Sequence, residues 1–258
     1  MTTGRTAFCA AAIAMAFGLA KPAVAQGWDD GAAAPGIKGE IGIGVSVTPL
    51  YEGSTDFKVS PLPLIRIERL TLSNGFQIGG REGGFSLGPS FNLRGPRTGD
   101  DTPALMPLAD VDRAFEFGLE ASYEAPAYRI HANLRRGFGG HQGWVGEAGA
   151  DVIVRPSMDV TLLAGPRVSY ADDSYMDTYF SVPAGTAGFA AYDADAGIKS
   201  VGVELGARRE LGPDWAIEGK ASYDRLVGDA ASSPITAIGT RDQFGVAVGL
   251  VRKFDIAF

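Results

Sequence analysis

The chain has almost no cysteine, very little histidine, and no long uncharged stretch in its body. Among its 258 residues the only cysteine is Cys9, and the only histidines are His131 and His141. Cys9 lies inside an apolar, alanine-rich run from Ala7 to Ala20, after Arg5 and before Ala23-Val24-Ala25. A thin positive start, a short apolar run and a small-residue cleavage site read as an export signal over residues 1–25, with the mature chain starting near Gln26. The run is too short to cross a bilayer as a helix. Cys9 does not directly follow the cleavage site, so no lipid anchor is expected there. Without Cys9 the exported chain has no thiol, which excludes a disulfide framework, a cysteine nucleophile and a cysteine metal site.

No later segment reaches the uncharged length of a membrane helix. Basic residues are also in the minority. Removing Arg5 and Lys21 with the signal leaves 21 basic against 30 acidic residues, a formal charge of −9, so nucleic acid is not an expected partner. An exported chain of this kind is soluble in the periplasm, secreted, or a membrane barrel. Glycine is abundant, with 36 residues, and mean hydropathy is +0.05. Near-neutral hydropathy fits a barrel, because lipid-facing and lumen-facing side chains cancel in any window.

The body of the chain alternates in twos. Ile41, Ile43, Val45 and Val47 share a face. Phe115, Phe117, Leu119, Ala121 and Tyr123 oppose Glu116, Glu120, Ser122 and Glu124. Tyr128, Ile130, Ala132 and Leu134 oppose Arg129, His131, Asn133 and Arg135. The pattern continues through Trp144–Val154, Val160–Tyr170, Val201–Ala207 and Trp215–Tyr223. The polar faces carry both signs of charge, as a narrow lumen with paired charges requires. Tyr123, Tyr128, Trp144, Tyr170, Trp215 and Tyr223 fall at strand ends, where interfacial girdles sit. Short links at 125–127, 155–157 and 211–214 alternate with long ones at 95–111, 171–196 and 227–242. Leu250, Arg252, Phe254, Ile256 and Phe258 form one face of a final strand. Phe254 and Phe258 are both candidates for the assembly signal read by the barrel-assembly machinery.

These patterns predict one all-β domain: a transmembrane antiparallel up-and-down barrel over 38–258 with a mostly filled lumen. A flexible segment, 26–37, precedes it. Eleven strands can be marked, an odd number for a single-chain bacterial barrel. The ambiguity lies in Pro61–Ile67 and Leu70–Gly79. Read as separate pieces with one strand unmarked they give twelve, the count adopted; read as one long strand they give ten.

Chemistry-bearing residues are few. By alternation His131 faces the lumen among Arg129, Asn133 and Arg135. His141 lies in the glycine-rich Gly139-Gly140-His141-Gln142-Gly143. Neither has a serine beside it, so no catalytic residue is expected. Asp172-Asp173 and Asp193-Ala194-Asp195 border the longest loop. They lack calcium-loop spacing and read as solvated acids, so no metal and no cofactor is expected. Gly42-Ile43-Gly44 opens no helix and is not a phosphate loop. Glu120, Arg135, Asp151 and Arg208 are candidate lumen charges, which would set selectivity if the lumen conducts. In the loop at 171–196, Tyr175, Met176, Tyr179 and Phe180 are too apolar for a segment that meets only water. Their spacing suits a short helix with one side packed down. A lid over the barrel mouth is the preferred reading, and an exposed partner surface the alternative. Trp28, in the flexible segment, is a second candidate partner contact.

Tyr51-Glu52-Gly53-Ser54 followed by Pro61-Leu62-Pro63-Leu64 resembles the start of the MipA/OmpV family of outer-membrane proteins. So do Gly137-Phe138-Gly139-Gly140-His141, Tyr175-Met176-Asp177-Thr178-Tyr179-Phe180, and Gly228-Asp229-Ala230 through Ser233-Pro234 to Asp242-Gln243-Phe244. The landmarks run in the family's order along nearly the whole exported chain. The chain departs from many relatives by extending past Arg252-Lys253-Phe254. The resemblance implies a non-enzymatic barrel in the outer membrane of a Gram-negative bacterium, surrounded by outer-membrane lipid. It also implies a scaffold between a lytic transglycosylase and a murein synthase. A narrow porin-like channel and a lipid-modifying enzyme are the competing classes.

Overall fold

Alternating side chains along the chain give one continuous sheet that curls into a barrel. The computed structural model describes residues 35–73, 77–79, 84–100 and 102–258. The expected export signal and Trp28 lie outside the described residues. The strands are β1 (Gly36–Pro49), β2 (Phe57–Thr71), β3 (Gln77–Gly79), β4 (Gly84–Arg94), β5 (Ala114–Ala125), β6 (Tyr128–Gly139), β7 (Trp144–Val154), β8 (Val160–Ala171), β9 (Gly197–Glu210), β10 (Trp215–Leu226) and β11 (Asp242–Ala257). All pair antiparallel, in the order β3-β2-β1-β11-β10-β9-β8-β7-β6-β5-β4. Three helices, α1 (Asp173–Phe180), α2 (Gly228–Ser232) and α3 (Pro234–Ala237), lie in the long loops at one end. The other end has short turns.

The chain crosses the barrel ten times, not twelve. β2 is a single strand of 15 residues. β3 pairs with its last three residues, Arg69–Thr71, and runs in the same direction as β4. The two are pieces of one crossing. Pro61 and Pro63 do not divide β2, and the ladder gives the reason. Leu50 N–H donates to Asp56 O at 2.9 Å, closing the β1–β2 hairpin. That bond and the register Gly44↔Leu62 make the even residues of β2 face β1. The odd ones, both prolines included, face the opposite edge, where β2 has no ladder beyond β3 among the described residues. A proline there removes no bond. Among the described residues the ladders are therefore continuous except along this β2/β4 seam and at the short-turn end of β11.

β1 starts at Gly36, two residues before the expected barrel start, because Gly36 and Ile37 pair with Ala257 and Ile256. At the short-turn end the sheet is uneven. β10 begins with Trp215 opposite Arg252. Among the described residues, β11 runs on to Ala257 with only β1 beside it. The last bond toward β10 is Lys253 N–H to Asp214 O, 2.8 Å.

The outward face is apolar. Ile43, Val59, Ile65, Phe117, Leu119, Leu134, Leu205 and Val248 all stand exposed on it. In a soluble protein a surface this apolar would be a liability; facing acyl chains it is the spanning belt. Aromatics edge it at both ends. Tyr123, Tyr128 and Trp215 mark the short-turn side, with the Arg252 guanidinium 5.7 Å from the Trp215 ring centre. Phe138, Trp144, Tyr170 and Tyr223 mark the long-loop side. Among the described residues no helix is long and apolar enough to cross a membrane.

Candidate functional site

The inward face of each strand is charged, and the charges meet in tiers along the lumen. Near the short-turn end Glu40 and Glu218, both fully buried, bind Arg208 and Arg66. Arg208 Nη2 lies 2.6 Å from Glu40 Oε1. Above them Asp151 accepts from Arg129 and Arg167, each at 2.7 Å, and Arg167 also reaches Glu204 at 2.9 Å. Lys220 lies 2.5 Å from Glu204. Toward the long-loop end Glu116 joins Arg94, Arg135 and Asn92. Isolated buried charges are unaffordable, and each of these is matched. Arg135, Asp151 and Arg208 sit buried within this network, and Glu120 is half-buried on the same face. A small chamber of about 40 Å³ remains under the mouth, bordered by Glu52, Arg94, Lys199 and Asp224 among others.

α1 closes the mouth. Asp172 caps it, accepting from Tyr175 N–H at 2.9 Å, which satisfies one orphan donor of the first turn. Tyr175, Met176, Tyr179 and Phe180 are all buried, in a cluster with Val111, Val145, Leu226, Ala230 and Ala231. They are lid contacts, not an exposed surface. α2 and α3 pack beside them. Ser233 ties the two segments together, donating to Phe180 O at 2.6 Å while accepting from Ile235 N–H at 3.1 Å.

A polar latch holds the lid to the barrel. Glu52, in the β1–β2 loop, accepts from Tyr175 Oη at 2.8 Å and from the Lys199 ammonium, and lies 3.4 Å from Arg94. Burial works against its charge, but Lys199 and Arg94 hold the carboxyl down to about 2. Arg94 also lies 5.0 and 5.2 Å from the ring centres of Tyr175 and Tyr179, a cation–π contact with both. Burial pushes the Tyr175 phenol well above its ordinary value and that of Tyr179 up to about 12, so both stay neutral, and Tyr175 is the one that donates to Glu52. His141, fully buried, packs edge-on against both tyrosine rings and meets Glu116 at 3.3 Å.

Two glycines make the latch possible. Gly53 has φ +101°, a left-handed conformation that disfavours other residues, and its N–H donates to Gln243 Oε1 at 3.1 Å. At Gly137 a Cβ would lie 2.2 Å from the His141 ring.

His141 thus belongs to the lid packing rather than to a turn alone. His131 is buried on the inner face with Nδ1 3.8 Å from Asp151. Neither histidine hydrogen-bonds a serine among the described residues. No group of three or more metal-ligating side chains occurs among them either. Two of the loop acids have structural partners: Asp172 caps α1, and Asp173 accepts from Ala196 N–H at 2.6 Å. Phe254 packs toward Gly39, and Phe258 is exposed. Sequence reasoning singled out neither Glu52, Arg94 and Lys199 as a group nor the two short helices. Ser233-Pro234, a cap followed by a helix-starting proline, was the available signal for α3.

Comparison with known proteins gives one informative match. The family model described as "MltA-interacting protein MipA" matches residues 41–254. No curated protein matches the chain. A solved structure titled "Asymmetric conductivity of engineered proteins" aligns at 13% identity over 84% of this chain and 99% of that one, with a TM-score of 0.25. Similarity that low carries no argument.

Proposed function

The chain belongs to the MltA-interacting protein MipA family, and on that premise we propose a non-enzymatic scaffold of the outer membrane of a Gram-negative bacterium. It holds murein-cutting and murein-building enzymes close to the membrane. The family's name supports a lytic transglycosylase as one partner, and the resemblance adds a murein synthase. The observation that favours a scaffold over a pore is the lumen. Paired charges fill it tier by tier and a latched helix covers its mouth. Aqueous channels are typical of barrels with about sixteen strands.

The test uses the chain in lipid nanodiscs and planar bilayers. A purified lytic transglycosylase should bind the nanodisc, and the bilayer should show no steady conductance. Crosslinkers at Pro126, Ser157 and Pro213, in the short turns, should capture the same enzyme in cells. Steady conductance that changes on Arg135→Ala, with no enzyme binding, would replace the scaffold with a pore.

A further inference from the structure

A scaffold facing murein enzymes has few places to grip them, because its turns on that side are short. The uneven end of the sheet supplies one. β11 continues to Ala257, but β10 stops at Trp215, opposite Arg252. The direction of each backbone group beyond that point follows from two bonds. Lys253 N–H points to β10, donating to Asp214 O at 2.8 Å, and Phe258 N–H points to β1, donating to Pro35 O at 3.1 Å. In a strand these directions alternate. Phe254 and Ile256 therefore face β1, and Asp255 and Ala257 face away from it, on the side that β10 occupies up to Trp215. Their N–H and C=O groups have no ladder partner among the described residues. The edge lies past Trp215 and Arg252, at the short-turn end of the sheet. Ile256 is 53% exposed beside it, and Asp255 and Lys38 form an exposed ion pair at 2.5 Å on the opposite face.

We infer that this edge, Lys253–Ala257, is a docking strand for an extended segment of a periplasmic protein partner, which adds to the sheet by β-augmentation. Unpaired donors and acceptors at strand spacing are satisfied by another strand and by little else with the same geometry. The partner segment runs beside β11, covers Ile256 with an apolar side chain at alternate positions, and meets Asp255 and Lys38 with polar ones. The inference rests on the scaffold reading and locates its grip.

The parity supplies a clean perturbation. Asp255→Pro with Ala257→Pro removes donors only on the free side and leaves the bonds to β1 intact. Asp255→Ala keeps the donor and removes the carboxylate. Binding of a purified lytic transglycosylase to nanodisc-held protein should weaken at least tenfold in the double proline variant and change little in Asp255→Ala. On the wild-type protein, which needs no variant to fold, the enzyme should slow amide exchange at Asp255 and Ala257 at least tenfold. Equal binding by wild type and the double variant overturns the docking strand and leaves the scaffold standing. No binding by wild type removes the scaffold and the docking strand with it. Amides at Asp255 and Ala257 that are already protected without enzyme also overturn it. Concentration-dependent protection would then assign the edge to a second copy, and concentration-independent protection to residues 26–34.

Discussion

Replacing Glu52 by Gln should release the lid without opening the barrel. Gln keeps the shape and still accepts from Tyr175 Oη, but Lys199 and Arg94 lose their shared counter-charge. Removing one partner from a buried ion group costs about 3–5 kcal/mol. Tyr175 keeps its acceptor, so the low end of that range, about 3 kcal/mol, is the expectation. The depressed acidity of the Glu52 carboxyl points to a similar magnitude. The carboxyl is held at about 2 against an ordinary 4.5, and at 1.36 kcal/mol per unit that is about 3 kcal/mol. A carboxyl whose folded pKa is depressed stabilises the folded form when ionised. The contribution is complete above about pH 4.5 and is lost as pH falls through 2. Amide exchange in α1, expressed as protection relative to the free chain, reports lid opening. At pH 7 the variant should lose about a hundredfold protection in Tyr175–Phe180 while amides of β8 and β10 keep theirs. In wild type the same protection should fall as pH drops from about 4.5 toward 2. Unchanged protection in the variant, or loss spread equally over lid and barrel, would refute the latch.

Other substitutions separate lid from barrel. Phe180→Ala empties a fully buried site in the lid cluster and should cost about 3–5 kcal/mol, read as α1 exchange with the barrel's heat-modified gel mobility preserved. Gly53→Ala forces a side chain into φ +101°, with Thr236 3.2 Å from the new Cβ. It should lower stability by about 1–2 kcal/mol, visible as an earlier thermal transition in detergent. Arg208→Met removes an arginine that Glu40 and Glu218 share and leaves them Arg66. The barrel itself should lose about 3–5 kcal/mol, measured as a lower urea midpoint in lipid vesicles, while α1 protection relative to the barrel is unchanged.

Much of this architecture was legible because a barrel strand needs only period-two alternation, a local property. Glu116 opposite Phe117, and Arg129 opposite Ile130, already fix which side is lumen. The lid was legible for a related reason: Tyr175, Met176, Tyr179 and Phe180 are apolar where a loop would be polar, and their spacing is helical. The strand count was harder. Pro61 and Pro63 look like a strand boundary, and only the parity of the β1–β2 ladder reveals that both point to an edge with no ladder partner at those positions among the described residues. The latch was invisible for a different reason. Glu52, Arg94 and Lys199 lie on three elements far apart in the chain, and no local pattern distinguishes them from other charges. The same holds for His141, whose glycine-rich setting suggests a turn until the ring is seen filling the space Gly137 leaves.

The filled lumen has a consequence for the envelope as a barrier. A membrane's resistance to small solutes falls with the number of open conduits in it. To cross this barrel an ion would have to part Arg208 from Glu40 and Arg167 from Asp151, and then lift a helix whose aromatic side chains are buried. Copy number is thereby decoupled from leak, so many copies of the barrel can stand in a membrane without making it more permeable.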